Sequence, residues 1–85
     1  MMKLEEILNG IHVAEIKGNL DKEISGLEID SRKIESGHMF VAVRGTQTDG
    51  HAYIDKTIEK GASVIVCETF PDNIDSDITY IKVND

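Results

Sequence analysis

The 85-residue sequence predicts a single α/β domain with a mixed β-sheet that contains a β–α–β crossover. Two short apolar runs, Met39–Val43 and Ala62–Cys67, have the composition of strands covered on both faces in a parallel sheet. Between them, His51–Lys60 has apolar side chains on one helical face and charged side chains on the other. A strand, a helix and a second strand in this order predict a right-handed crossover, with the two strands as parallel neighbours at the centre of the sheet.

The chain before the crossover is predicted to contain one helix and two strands, over Lys3–Asn9, Ile11–Lys17 and Ile24–Ile29. The helix has apolar residues at helical spacing and is followed by Gly10, a common helix stop, so it is predicted to cover the core. The first strand precedes the turn-forming pair Gly18-Asn19, and a polar connection over 20–23 leads to the second strand. Ser25-Gly26 predicts an irregularity inside that second strand.

Two polar loops, Asp30–Gly37 and Thr46–Gly50, flank the central apolar strand. Binding groups commonly lie on loops that a rigid sheet holds in place, so these loops are the candidate site. After the predicted helix, Gly61 occupies the position of a C-terminal cap. The acidic stretch Phe70–Asp77 is predicted to be a loop, and Ile78–Val83 a final alternating strand.

Composition and charge restrict the classes of partner. The formal net charge is −7, and the nine basic residues form no run, which argues against a nucleic-acid surface. Acidic residues in the first eight positions argue against a secretion signal, and no apolar stretch is long enough to span a membrane. One cysteine cannot form an internal disulfide, which is typical of a reducing compartment. We therefore predict a cytoplasmic location, with neither nucleic acid nor membrane as a partner.

The potentially reactive side chains are predicted to be structural. His12, His38 and His51 lack the spacing of metal ligands, so we predict no metal site and three solvated rings. His51 and Asp55 lie four residues apart on the predicted helix, where a surface pair is ordinary. Cys67 ends an apolar strand and is predicted to be buried and unreactive.

A pattern of four segments resembles a known family. In order they are Asp30-Ser31-Arg32, the stretch Gly37–Gly45 with its Phe-Val-Ala core, Asp49-Gly50-His51 followed by Tyr53-Ile54, and Gly61-Ala62. Each segment is weak alone, but four in the right order and spacing resemble the N-terminal domain of the Mur ligase family. Gln47 and Tyr53-Ile54 make the MurE branch the most similar. The open alternatives are the N-terminal domain of MurF and a free-standing α/β nucleotide-binding or interaction domain without catalysis.

The resemblance implies a substrate-holding role. The family consists of cytoplasmic, ATP-dependent amide-bond ligases of peptidoglycan synthesis, and the MurE branch adds the third amino acid, diaminopimelate or lysine, to UDP-N-acetylmuramoyl-L-alanyl-D-glutamate. By this resemblance the domain, residues 1–85, binds the UDP portion of the UDP-N-acetylmuramoyl-peptide substrate. The positions that match the family's contacts are Ile29, through the chain at the strand end, Ser31, through its hydroxyl, and Thr46, Gln47 and Thr48.

The resemblance also implies domains outside these 85 residues. No Gly is followed by Lys in this sequence, so the usual phosphate-binding loop of an ATP site is missing here. The ATP-binding central domain and the C-terminal domain of the ligase are expected beyond Asp85, and ATP and Mg²⁺ are expected as cofactors of the full-length enzyme. This fragment is predicted to hold no cofactor and no catalytic residue, and to be inactive alone.

Several motif residues also have a purely structural interpretation. Asp30-Ser31 has the composition of an Asx turn. Arg32 is interpreted as a structural ion pair with Asp30 or Glu35 and is left outside the site. Gly45 permits either close approach of a ligand or a positive φ. Asp49-Gly50 predicts the turn and cap of the following helix, whose first N–H groups are expected to point toward the loop.

Overall fold

A mixed five-stranded sheet, a two-stranded ribbon and two short α-helices make up the computed structural model, which describes residues 1–45 and 49–84. In chain order the elements are β1 (Met2–Lys3), α1 (Leu4–Leu8), β2 (Val13–Lys17), β3 (Glu23–Ile24), β4 (Gly26–Glu28), β5 (His38–Val41), α2 (Ile54–Glu59), β6 (Val64–Cys67) and β7 (Thr79–Val83). Two single-turn 3₁₀ helices, Ser31–Lys33 and Gly50–Tyr53, lie in the connections on either side of β5. No helix in the described part of the chain is long and apolar enough to cross a membrane.

The sheet has the strand order β2-β7-β6-β5-β4. Strands β4, β5, β6 and β7 are parallel to one another, and the edge strand β2 is antiparallel to β7. Met39 pairs with Val64 and Val41 with Val66, so the two apolar runs are parallel neighbours, with β6 in the middle of the sheet. The predicted α/β class, mixed sheet and crossover are therefore confirmed.

Alternating side chains of the central strands bury both faces of the sheet. Phe40 and Ile65 point into one cluster with Ile54 of α2, and all three are at most 2% exposed. The neighbouring residues Met39 and Val64 point into a second cluster, which Leu4 of α1 helps to close. The amphipathic helix and the N-terminal helix thus cover opposite faces, and the predicted covering role of α1 is confirmed.

The strand predicted over Ile24–Ile29 is divided in two. Glu23–Ile24 pairs with Met2–Lys3 in the antiparallel ribbon, whereas Gly26–Glu28 pairs with β5 in the main sheet. The break is at Ser25, whose N–H donates to Gly37 O at 3.0 Å and whose hydroxyl donates to Ser36 O at 2.9 Å. These bonds to a distant turn direct the chain from one sheet to the other, so the predicted irregularity is a change of sheet.

The helix predicted over His51–Lys60 is α-helical only from Ile54 to Glu59. Its first turn is a 3₁₀ helix, in which Ala52 N–H donates to Asp49 O, three residues back, at 3.1 Å. Gly61 has φ +109°, and a Cβ there would lie 2.8 Å from Ser36 Cα. Gly61 therefore satisfies both a left-handed backbone and a close contact with the loop before β5.

The predicted polar loop Asp30–Gly37 contributes one residue to the hydrophobic core. Ile34 within it is 5% exposed and belongs to the same cluster as Phe40. The loop is therefore anchored to the core next to β5 and α2. The central strand is shorter than predicted, ending at Val41, although Ala42 N–H still donates to Val66 O at 2.9 Å.

Ile65 tests the packing of β6, the middle strand of the sheet. It is fully buried in β6, so Ile65→Ala should lower the free energy of unfolding by about 2 to 5 kcal/mol through lost burial and a residual cavity. The whole domain should have a stability of about 4 to 13 kcal/mol at its size. Ile74→Ala is the control, because Ile74 is 42% exposed and its loss should change the stability by about 0.5 kcal/mol. Urea denaturation measures both variants, and equal losses would contradict this account of the core.

Candidate functional site

The carboxyl ends of β4 and β5 lie side by side, because the two strands are parallel and paired from Gly26–His38 to Glu28–Phe40. The chain after β4 and the chain after β5 therefore leave the sheet at one edge, where open α/β sheets usually bind ligands. A cavity of about 570 Å³ lies there. Its lining consists of Ile29–Arg32 from the first connection, Val43, Gly45, Gly50 and Tyr53 from the second, and Phe40.

This cavity brings together part of the predicted site. Ile29 and Ser31 line it, and so do Gly45 and Gly50, which lie just before and just after the second predicted contact segment. Thr46, Gln47 and Thr48 themselves lie outside the residues that the structure describes. The structure thus brings Ile29 and Ser31 to the same cavity as Gly45 and Gly50. Gly45 lines the cavity and is not among the glycines with a positive φ, so of its two interpretations the positive φ is wrong and the close approach of a ligand stays a prediction.

The turn after β4 is held by carboxylates. Asp30 Oδ1 accepts from Arg32 N–H at 2.9 Å, which confirms the predicted Asx turn. Glu28 Oε1 accepts from the N–H groups of both Ile29 and Asp30 at 3.2 Å. The N–H of Ile29 is therefore occupied, and the carbonyl and the side chain, which is 63% exposed, are what Ile29 offers to a ligand.

Asp30 and Arg32 form a two-point ion pair. Arg32 Nε lies 3.0 Å from Asp30 Oδ1, and Nη2 lies 2.9 Å from Oδ2. These side-chain hydrogen bonds, followed by the backbone N–H of Arg32, lower the pKa of Asp30 to about 2. The structural interpretation of Arg32 is confirmed with Asp30 as its partner. Among residues 1–45 and 49–84, Glu35 forms no ion pair with it.

A cation that the sequence did not single out lies beside the site. Lys60 Nζ, at the end of α2, donates to Ser31 O at 3.1 Å across 29 positions of sequence. This bond uses the carbonyl oxygen of Ser31 and leaves its hydroxyl for another partner. The only sequence signal was a lysine at a helix C-terminus, where a cation is favoured by the helix dipole and is common.

The turn after β5 is fixed by Asp49 and Gly50. Asp49 Oδ1 accepts from His51 N–H at 3.0 Å, so the predicted cap is confirmed. The N–H of His51 is therefore directed at Asp49 and is not available to a ligand. Gly50 N–H donates to Val43 O at 2.8 Å, and a Cβ on Gly50 would lie 2.8 Å from Val43 N. A side chain at position 50 would therefore clash with the end of β5.

The sequence predicted that His51 is a solvated surface residue, and this prediction is wrong. Its side chain is 14% exposed, and Nε2 accepts from Glu68 N–H at 3.0 Å and from Thr69 N–H at 3.4 Å. Its carboxylate partner is Asp49, 2.7 Å from Nδ1, rather than Asp55. The hydrogen bonds of His51 lower the pKa of Asp49, with the backbone N–H as the larger cause. The 3₁₀ turn at Gly50–Tyr53 replaces the α-helical geometry on which the Asp55 pairing was predicted.

Of the other two histidines, one is partly buried and the other is exposed. His38 is partly buried, and its Nδ1 accepts from Glu35 N–H at 3.2 Å, so the expectation of a solvated ring is wrong for it as well. His12 is exposed, as predicted. No group of three metal-ligating side chains occurs within the described ranges.

Arg44 and Cys67 both interact with the rest of the domain, Arg44 through polar contacts and Cys67 through burial. Arg44 Nη2 donates to Thr69 Oγ1 at 3.0 Å, and its Nε lies 3.7 Å from Glu68 Oε2 and 4.0 Å from Asp49 Oδ2. Cys67 is buried, and burial raises the pKa of its thiol to about 11. A thiol with so high a pKa is a poor nucleophile at neutral pH, so the predicted structural role of Cys67 is confirmed.

Comparisons of sequence relate the chain to a family of ligases. The model of the family described as "Mur ligase family, catalytic domain" matches residues 23–84. A UDP-N-acetylmuramoyl-L-alanyl-D-glutamate–2,6-diaminopimelate ligase of Phocaeicola vulgatus is 62% identical over 84 residues, which are 99% of this chain and 17% of that protein. Ligases of the same name from Bacteroides fragilis and Clostridioides difficile are 56% and 40% identical over the same shares. The chain therefore spans about a sixth of the length of these relatives.

Comparisons of structure give the same family. MurF from Acinetobacter baumannii matches with a TM-score of 0.64 and 33% sequence identity, over 75% of this chain and 14% of that protein. MurF from Thermotoga maritima, solved in complex with ADP, matches with a TM-score of 0.61 and 32% identity over 69% of this chain and 13% of that protein. With a family model covering most of the chain and relatives of this similarity, the chain belongs to the Mur ligase family.

Proposed function

We propose that residues 1–85 are the N-terminal domain of a MurE-type ligase and bind the UDP portion of UDP-N-acetylmuramoyl-L-alanyl-D-glutamate. The observation that carries this proposal is the cavity at the shared edge of β4 and β5. It is lined by Ile29 and Ser31 and also by Gly45 and Gly50, which lie on either side of residues 46–48 in the sequence. The names of the relatives at 62% and 56% identity include this nucleotide as substrate.

In this proposal the contacts are local, because the chain as a whole repels an anion. The net charge is −7, so long-range attraction of a diphosphate is absent. The Ser31 hydroxyl is available to donate and accept, and the exposed side chain of Ile29 is available to pack on the uracil. Thr46, Gln47 and Thr48 supply hydroxyls and an amide for uracil edges or phosphate oxygens. Lys60, already bonded to Ser31 O, places positive charge beside the same cavity.

The remaining parts of the reaction are proposed for a longer protein. The chain spans 17% of its relatives, so a central ATP-binding domain and a C-terminal domain are proposed as its partners, with ATP and Mg²⁺ as cofactors and a cytoplasmic location. The ADP in the structure of Thermotoga maritima MurF supports a nucleotide site in that longer enzyme. The residues present here do not fit ATP, since no Gly-Lys pair occurs, and no catalytic residue is proposed among them.

Diaminopimelate is the proposed third amino acid, because it stands in the names of the most similar relatives. The MurF alternative has the support of the structural matches, but at 33% identity against 62% for a diaminopimelate ligase. A free-standing domain is less favoured, because the alignments cover nearly all of this chain and only a small part of each relative.

Titration with nucleotides tests the proposed site. Addition of UDP or of UDP-N-acetylmuramoyl-L-alanyl-D-glutamate should shift the amide resonances of Ile29, Ser31, Gly45 and Gly50 in ¹H–¹⁵N spectra, because these residues line the cavity. Binding should be weak, because a single domain holds only one end of the substrate. ATP and NAD serve as matched controls and should not compete. Shifts confined to the Phe70–Asp77 loop or to α1 would show that the site is elsewhere.

Ser31→Ala tests whether the domain anchors the substrate or takes part in the chemistry. Loss of one neutral hydrogen bond, about 0.5 to 1.5 kcal/mol, should raise the KM for the nucleotide substrate of the full-length ligase roughly two- to tenfold. Turnover at saturating substrate should change much less, because the UDP end is remote from the carboxylate that reacts. Ser76→Ala, in an exposed loop, is the control. A large fall in kcat with an unchanged KM would contradict the anchoring role.

A further inference from the structure

The connection between β4 and β5 is attached to the end of α2 at two places. Near its start, Lys60 Nζ donates to Ser31 O at 3.1 Å, and at its end, Gly37 N–H donates to Gly61 O at 2.9 Å. Lys60 and Gly61 are consecutive, so one short piece of chain after α2 contacts both ends of the connection. The position of the connection therefore depends on residues that are distant from it in sequence.

The two halves of the connection are fixed by different kinds of contact. The second half is held by Ile34, which is 5% exposed and packs in the core, and by the main-chain bond of Gly37. The first half is the 3₁₀ turn Ser31–Lys33, here called the Ser31 turn, in which no residue is buried. Asp30 accepts from Arg32 N–H within this turn. Such a bond fixes the shape of the turn, whereas its position on the fold needs a contact from outside.

Lys60 supplies that contact. Its hydrogen bond to Ser31 O has a positively charged donor, and such bonds are stronger than those between neutral groups. None of the ion pairs formed among residues 1–45 and 49–84 includes Lys60, so no carboxylate there directs the ammonium elsewhere. The bond uses the carbonyl of Ser31 and not its hydroxyl. Ser31 lines the cavity, and its hydroxyl remains able to bind a ligand.

We propose that Lys60 is a positioning residue for nucleotide binding, which holds the Ser31 turn against the end of α2. This inference rests on the proposed function, since it treats Ser31 as a contact of the nucleotide. Lys60 acts through the Ser31 carbonyl and does not touch the ligand. A turn held in place before the nucleotide arrives avoids the entropic cost of being ordered on binding.

Lys60→Met tests the contact, because methionine keeps an unbranched apolar side chain and has no donor. It should weaken UDP binding to the 85-residue chain about fourfold. Lys60→Arg retains a charged donor and should bind UDP within about twofold of the unaltered chain. Lys60 is exposed, so neither variant should unfold the domain. Equal weakening in the two variants, or unchanged affinity in Lys60→Met, would overturn the proposal.

Lys56→Met is the matched control for charge. Lys56 is exposed in α2, one helical turn before Lys60, so its loss changes the net charge of the chain equally. The affinity for UDP should stay within about 1.5-fold, because exposed charges at a distance are screened by salt. Weakening equal to that of Lys60→Met would show that Lys60 acts only through long-range charge, and the positioning role would be wrong.

A double-mutant cycle separates positioning from direct contact with phosphate. Ser31→Ala removes the hydroxyl and keeps the carbonyl that Lys60 contacts. If Lys60 acts by placing that hydroxyl, adding Lys60→Met to Ser31→Ala should weaken UDP binding by no more than about 1.5-fold further. A lysine that touched the phosphates would lose roughly fourfold in both backgrounds. Additive losses would therefore reject positioning through Ser31.

Backbone dynamics judge the inference separately from the proposed function. If UDP does not bind the unaltered chain, the proposed function fails, and the ¹⁵N order parameters of the Ser31 turn decide whether Lys60 holds it. In Lys60→Met they should fall from about 0.85, typical of a rigid backbone, toward about 0.6, while those of β6 stay as in Lys56→Met. Order parameters of the Ser31 turn that match the Lys56→Met control would contradict the inference.

Discussion

Parallel pairing of β4 with β5, and of β5 with β6, is the constraint on which the candidate site depends. Parallel neighbours cannot be joined by a tight turn, so each connection must return across the sheet before the next strand begins. As a result, the chain leaves every one of these strands at the same edge. Three parts of the chain that are separate in sequence therefore meet at one end of the sheet: Ile29–Arg32, the described residues Val43–Gly45 and Asp49–Gly50, and Glu68-Thr69.

The burial of both sheet faces makes this edge rigid. Phe40 and Ile65 pack against α2, while Met39 and Val64 pack on the side of α1, so β5 and β6 are enclosed. Strands packed on both faces cannot shift in register without exposing their apolar side chains. The polar connections that follow them consequently start from fixed points, which is what a binding site on loops requires.

Most charged side chains of the recognisable motifs form hydrogen bonds or ion pairs with other residues of the domain. Asp30 is bonded to Arg32, whose hydrogen bonds lower the pKa of that carboxyl to about 2. Asp49 is bonded to His51, and Arg44 lies among Asp49, Glu68 and Thr69. These motifs therefore preserve the shape of two turns, and the small and neutral residues beside them remain for recognition. This division suits a domain of net charge −7 that is proposed to hold an anionic nucleotide.

The sequence by itself determined the α/β class, the crossover, the buried Cys67 and the turns at Asp30 and Asp49, because these follow from local periodicity and from side chains bonding two residues away. Tertiary structure alone decided the division of the 24–29 strand at Ser25, the meeting of Lys60 with Ser31, and the burial of the His51 ring. Each of these depends on backbone groups between 11 and 29 positions away, whose proximity is created only by the pairing of strands and the return of the crossover. A local sequence pattern carries no information about such distant partners. His51 was therefore predicted to be solvated, although its ring accepts a hydrogen bond from the backbone just after β6.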